Sequence, residues 1–191
     1  MPIALLLLLA APAAQAAGPP ASAEGLLGKG GVWVISSPDP DKVSARVQAA
    51  IDIPVSPEKV WRTMTDCKNS YKLITNLKSC KIVQGDMAKG WDVREHVTKG
   101  GLVPSMRIVF RSDYTAYTVI RFKLVEGDLK VEQGEWRLIS LRNGTATRVV
   151  YDNRLALNLP VPQDLLANGL KKSTPKALTN LRDLCVAQAK G

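Results

Sequence analysis

The feature that most constrains this chain is a series of segments in which apolar and charged residues alternate. Between Pro104 and Tyr114, Met106, Ile108 and Phe110 alternate with Arg107 and Arg111. Between Tyr117 and Val125, Ile120, Phe122 and Leu124 alternate with Arg121 and Lys123. Successive side chains on a strand point to opposite faces, so each segment reads as a strand with one apolar and one wet side. Parallel sheets bury both faces, which makes an antiparallel sheet the expected arrangement. Val43–Ile53, Ser79–Gln84, Gly90–Lys99, Leu129–Leu141 and Thr145–Leu157 complete about seven strands. The last two flank Asn143-Gly144, a dipeptide suited to the left-handed positions of a tight hairpin.

A one-sided sheet needs a cover, and the long candidate is the segment from Pro162 to Ala189. There Leu166, Leu170, Ala177, Leu181 and Leu184 fall on one helical stripe. Pro175 lies inside it, and Ser173-Thr174-Pro175 itself resembles a helix start, so a kinked helix or two helices are expected. The class is therefore α+β. A shorter helix is expected after Ser56-Pro57, with Val60, Trp61 and Met64 on its apolar side, and Asn69–Leu77 reads as a second short helix or an irregular stretch.

The N-terminus begins with an apolar run from Leu5 to Leu9 followed by Ala-rich sequence. That run is too short to span a bilayer and suits a secretory signal peptide over residues 1–16, with Ala14-Gln15-Ala16 as the cleavage pattern, although no Lys or Arg precedes it. Residues 17–42 are rich in Gly, Pro, Ala and Ser and read as a linker; Val32-Trp33-Val34-Ile35 is a short apolar piece able to dock as an extra strand. The folded domain is expected over 43–190. Export implies a periplasmic or secreted protein and permits disulfides. The three cysteines allow at most one internal bond, for which Cys67 and Cys80 are the favoured pair.

The order strand, two short helices, six strands and a long helix carries specific residues as well. These are Ile53-Pro54-Val55-Ser56-Pro57-Glu58-Lys59-Val60-Trp61, Thr65-Asp66-Cys67 and Asn76-Leu77-Lys78-Ser79-Cys80. Further along come Gly127-Asp128-Leu129-Lys130, Gly134-Glu135-Trp136-Arg137-Leu138, Thr147-Arg148-Val149 and Tyr151. Together they resemble the START-like (SRPBCC) superfamily of polyketide cyclases, dehydrases and lipid-transport proteins, in its coenzyme Q-binding START-type branch. The resemblance implies a helix-grip fold, a curved antiparallel sheet wrapped around the C-terminal helix with a cavity between them. It implies a hydrophobic small molecule or lipid as the ligand, with isoprenoid quinones, fatty acyl chains and polycyclic lipids all open.

Strand parity then selects candidate cavity residues. Trp91, Met106, Phe110, Phe122 and Trp136 form the apolar set on the inward phase, with Leu166 and Leu170 closing it from the helix. Glu95, Tyr151 and Asn153 are the polar residues on that phase. A buried polar group without a partner costs about 1–3 kcal/mol, so these three either bond within the protein or meet a ligand. Plain core packing is the alternative for every apolar member. A cyclase or dehydratase would use Glu95 or Tyr151 as acid or base in the same cavity; an envelope protein-interaction module would have none.

Catalytic and cofactor signatures are scarce. The single histidine, His96, falls on the phase opposite Val93 and Val97 and is expected to face solvent. The cysteines are dispersed, and Gly25–Gly31 lacks both the dinucleotide and the phosphate-loop pattern. No cofactor and no metal are expected, and the protein is read as a binding protein rather than an enzyme. The net charge of +9 is spread without dense basic runs, so nucleic acid is not an expected partner. Peripheral contact with an anionic membrane is, through Lys171 and Lys172. A monomer is expected.

Overall fold

The computed structural model describes residues 18–101 and 104–190. The leader reading over 1–16 lies outside them. Eight strands form one antiparallel sheet in the order β1-β2-β8-β7-β6-β5-β4-β3. They are β1 (Val32–Pro38), β2 (Ala45–Ile53), β3 (Leu77–Asp86), β4 (Trp91–Thr98), β5 (Arg107–Thr115), β6 (Val119–Gly127), β7 (Leu129–Leu141) and β8 (Ala146–Leu157). The helices are α1 (Glu24–Leu27), α2 (Pro57–Thr65), α3 (Cys67–Leu73) and α4 (Gln163–Ala189). This is the helix-grip arrangement, with α4 held against the inner face.

The eighth strand comes from the segment read as a linker. Trp33 pairs with Ala50 and Val34 with Ala49, so residues 32–38 close one edge of the sheet. Val32 and Val34 pack onto the main core. On the outer face, Ala23, Leu27, Ala50 and Val150 make a second small core with Trp33. Composition suggested a linker because Gly and Pro dominate the stretch; four apolar residues in a row outweighed them.

Pro175 does not divide the C-terminal helix: α4 runs without interruption from Gln163 to Ala189. Proline removes one backbone donor and leaves the carbonyl four residues earlier without its helical partner. That carbonyl belongs to Lys171, which is exposed to water. Toward the C-terminus, Leu178, Leu181 and Cys185 pack with Ile51, Ile53, Val60 and Val149 in the main core. Each of Leu178, Leu181 and Cys185 is nearly sealed from solvent.

The Asn143-Gly144 turn forms as the hairpin joining β7 to β8, with Leu141 paired to Ala146. Arg142, Asn143 and Gly144 all have positive φ, at 48°, 53° and 88°. Ser56 occupies the position before α2 without a side-chain cap bond, and Pro57 supplies the preset first turn. Asp66 does cap α3, accepting from the Lys68 backbone N–H at 2.9 Å.

Candidate functional site

Toward the N-terminal half of α4, sheet and helix part around a cavity of about 510 Å³. That size lies within the range of small-molecule sites. Leu170, Ser173, Thr174 and Ala177 roof it from α4. Leu73, Ile74, Thr75 and Asn76 wall one side, at the end of α3 and in the turn that follows. The sheet supplies the remaining walls.

The α3 wall is held from several directions. A disulfide joins Cys67 in α3 to Cys80 in β3, with the Cα atoms 5.7 Å apart. The Cys80 backbone N–H donates to the Tyr71 hydroxyl at 3.2 Å. Gln188 of α4 donates to Asn69 at 3.2 Å and accepts from Thr63 at 2.7 Å. Asn180 donates to the Leu73 carbonyl at 3.4 Å. Helices α2 and α3 are thereby tied to the packed half of α4.

Six of the ten cavity candidates line this space: Phe110, Phe122, Trp136, Tyr151, Asn153 and Leu170. Their rings form a continuous surface. Trp136 stacks on Tyr151 at 3.9 Å between centroids, Tyr151 stacks on Phe122 at 6.3 Å, and Phe110 meets Phe122 edge-on at 6.5 Å. Gly134, opposite Phe122 on the neighbouring strand, makes room for that ring. A Cβ there would lie 2.8 Å from Phe122 Cζ and would collide with the Asp152 carbonyl oxygen.

The other four lie elsewhere. Met106 precedes β5, donating through its backbone N–H to Thr98 Oγ1 at 2.9 Å, and does not reach the cavity. Leu166 lines a separate depression with Val43, Leu159 and Val161. Trp91 and Glu95 belong to the outer face of β4. The Arg111 guanidinium sits 4.5 Å over the Trp91 ring, and Glu95 pairs with Arg107 at 2.6 Å. Glu95 is thus removed from any acid–base role in the cavity.

The phase of β4 is inverted relative to the sequence reading, and the inversion brings chemistry inside. Asp92, Arg94 and His96 point inward. Arg94 Nε and Nη2 donate to the Asp92 carboxylate at 2.7–3.0 Å, and Nη2 also donates to the Thr65 carbonyl at 2.7 Å. The pair is sealed, with side-chain exposures of 6% and 1%. Burial is the largest influence on Arg94 and opposes its charge, but the Asp92 hydrogen bonds and charge, together with Tyr114, outweigh it and raise the arginine's pKa. His96 lines the cavity, edge-on to Phe110 at 4.9 Å. Burial first, and the Arg94 charge second, push its pKa down to about 4, so the ring is neutral at physiological pH.

Glu132 was absent from the candidates although it shares strand parity with Trp136 and Leu138. It lines the cavity, and burial lifts its pKa to about 7. Burial likewise raises Tyr151, and the Glu132 charge adds to that shift. Three cavity-facing atoms are sealed from solvent without a hydrogen-bond partner: His96 Nε2, Glu132 Oε2 and Asn153 Oδ1. Tyr114, raised by burial, stands edge-on to Trp61 at 5.6 Å at the packed end. Lys171 and Lys172 are exposed on α4, whereas Lys176 reaches the cavity wall.

Residues 53–182 match the family described as polyketide cyclase / dehydrase and lipid transport, and the chain belongs to that family. Solved structures share the fold. A START superfamily protein from Mycobacterium smegmatis is 14% identical with a TM-score of 0.65, over 75% of this chain and 98% of its own. Human STARD10 is 12% identical with a TM-score of 0.70, over 84% of this chain and 71% of its own. A Streptomyces aromatase/cyclase is 14% identical with a TM-score of 0.61, over 77% of this chain and 94% of its own. No curated protein matches the sequence.

Proposed function

We propose that this member of the polyketide cyclase / dehydrase and lipid transport family is an exported carrier that holds a hydrophobic small molecule in the cavity beneath α4. The observation that carries the reading is the cavity itself: about 510 Å³, walled by stacked Phe, Tyr and Trp rings, with three buried polar atoms left unpartnered inside it. A packed core leaves few voids larger than a water molecule and pairs its buried polar groups. A cavity of this size with unpaired polar atoms supports filling by a molecule that brings hydrogen bonds. The START-type neighbours share the fold, which supports a lipid-like ligand and leaves its identity open.

Export is supported by the apolar run Leu5–Leu9 and by the Cys67–Cys80 disulfide, a bond that persists in oxidising compartments. The lysines of α4 support contact with an anionic membrane during loading. Purification from the native host, solvent extraction and mass spectrometry test the carrier reading. An apolar molecule at near-stoichiometric yield is expected, and its loss on Ala177→Trp, which fills the roof. Recovery of no apolar molecule, with no uptake from a lipid mixture, sinks the proposal. Fractionation and N-terminal sequencing test export; an intact Met1 on cytoplasmic protein would contradict it.

A second reading is favoured by Glu132. Its carboxyl titrates near neutrality inside the cavity, as a general acid–base group should. Turnover of a bound polyketide-like substrate, lost in Glu132→Gln with binding retained, would replace the carrier reading by a cyclase or dehydratase.

A further inference from the structure

The unpartnered atoms in the cavity describe the ligand's polar end. Glu132 of β7 and Asn153 of β8 both face inward, as does Tyr151. Asn153 is 2% exposed. It also lies within hydrogen-bond reach of the Tyr151 hydroxyl, while its Oδ1 has no donor. Glu132 Oε2 has no donor either. Both vacant positions accept hydrogen bonds. They sit beside the Trp136–Tyr151 stack, on which a flat apolar body can lie.

We infer that Glu132, Tyr151 and Asn153 form a seat for the hydroxyl group of an uncharged ligand whose apolar body lies along Phe110, Phe122 and Trp136. The inference rests on the ligand-binding reading above and narrows it. A hydroxyl donates its one hydrogen to the Asn153 oxygen and accepts in turn from the protonated Glu132 carboxyl. A carboxylate or phosphate head has no hydrogen to give. It would bury a negative charge in a site of low dielectric and leave the Asn153 oxygen without a donor, a costly arrangement. Fatty acids and phospholipid heads are therefore poor occupants of this corner; polycyclic alcohols and phenols are good ones. The cationic Arg94 does not change the preference, because the sealed Asp92 carboxylate already neutralises its charge.

Three fluorescent probes of one skeleton test the seat on the delipidated protein: 1-hydroxypyrene, 1-methoxypyrene and 1-pyrenecarboxylate. Fluorescence titration should show the alcohol binding about tenfold more tightly than the ether, the worth of one hydrogen bond to a buried group. The carboxylate should bind weakest. Glu132→Leu should reduce the preference for the alcohol, and Glu132→Leu/Asn153→Leu should erase it, with the ether bound at least as well as by wild type. Glu132→Gln, which keeps an acceptor, should retain it. Equal affinities for alcohol and ether in the wild-type protein, or tightest binding of the carboxylate, would overturn the seat while leaving the cavity as a ligand site. Failure of all three probes to bind would overturn the ligand-binding reading, and the seat with it. Should the leucine variant not fold, the wild-type series decides alone.

Discussion

Replacing Arg94 by methionine removes one half of the buried ion pair and keeps much of the side-chain volume. Arg94 makes three hydrogen bonds to the Asp92 carboxylate and one to the Thr65 carbonyl, at 2.7–3.0 Å. Asp92 is fully buried, so the variant strands a carboxylate where water cannot reach it. Breaking a buried pair from one side costs about 3–5 kcal/mol, most of it the penalty of the charge left behind. At a urea dependence of about 2.5 kcal/mol per molar, that is a fall in the denaturation midpoint of about 1–2 M. The double variant Asp92→Leu/Arg94→Met leaves no stranded charge. It should recover most of the loss and retain a deficit of about 1 kcal/mol for the Thr65 carbonyl, which loses its donor. Urea titrations followed by tryptophan fluorescence measure all three proteins. A single variant within about 1 kcal/mol of wild type, or a double variant no more stable than the single, would refute the reasoning.

Glu132 and His96 should shape opposite limbs of the pH–stability curve. Glu132 has a folded pKa raised to about 7, so its contribution is full below the unfolded carboxylate value and is lost as pH rises through 7. Glu132→Gln should therefore be more stable than wild type at pH 8, by about 1–3 kcal/mol, and gain nothing at pH 4; coincident curves would argue against a buried carboxyl. His96 has a folded pKa lowered to about 4, so stability is present above the unfolded value and is lost as pH falls from about 6.5 to 4; His96→Gln should flatten that acid limb in thermal melts. Replacing Cys67 and Cys80 by serine opens a loop with a sequence separation of 13 and should cost about 3 kcal/mol, with wild type in reductant falling to the same midpoint. Gly134→Ala should force the β8 backbone away at Asp152 and displace the Phe122 ring, cost about 1–3 kcal/mol or more and weaken pyrene-probe binding; unchanged stability and binding would remove Gly134 from any part in shaping the cavity.

The alternating strands and the terminal helix were legible because period two and period 3.6 are strong signals when they extend over many residues. The inward residues of β5 to β8 followed from the same parity, and Phe110, Phe122, Trp136, Tyr151 and Asn153 all line the cavity. Strand β4 was misread because periodicity gives two phases and does not say which is inside. Its apolar phase, Trp91, Val93 and Val97, looked like the inner one. A buried Asp–Arg pair neutralises itself, so the polar phase could turn inward, and the guanidinium of Arg111 covers Trp91 outside. Glu132 was passed over by residue type alone: its parity was right, but a lone Glu among apolar neighbours is usually wet. Strand β1 was legible as the apolar piece Val32–Ile35 able to dock as an extra strand, and the glycines and prolines around it hid only its continuation to Pro38.

Strand β2 has as its neighbours β1, which immediately precedes it, and β8, so that Ile53 pairs with Thr147 and Ala45 with Leu155. The N-terminal hairpin therefore has no sheet to join until nearly the whole chain has been made. Helix α4, which packs against β1 and β2, comes later still. Contacts so distant in sequence form slowly, because the loop must close before they can stabilise anything. During synthesis the middle strands can assemble early, while the edge that α4 grips stays open. The cavity is thus expected to close only once α4 has been made, and a chain cut short of α4 would lack the roof formed by Leu170, Ser173, Thr174 and Ala177.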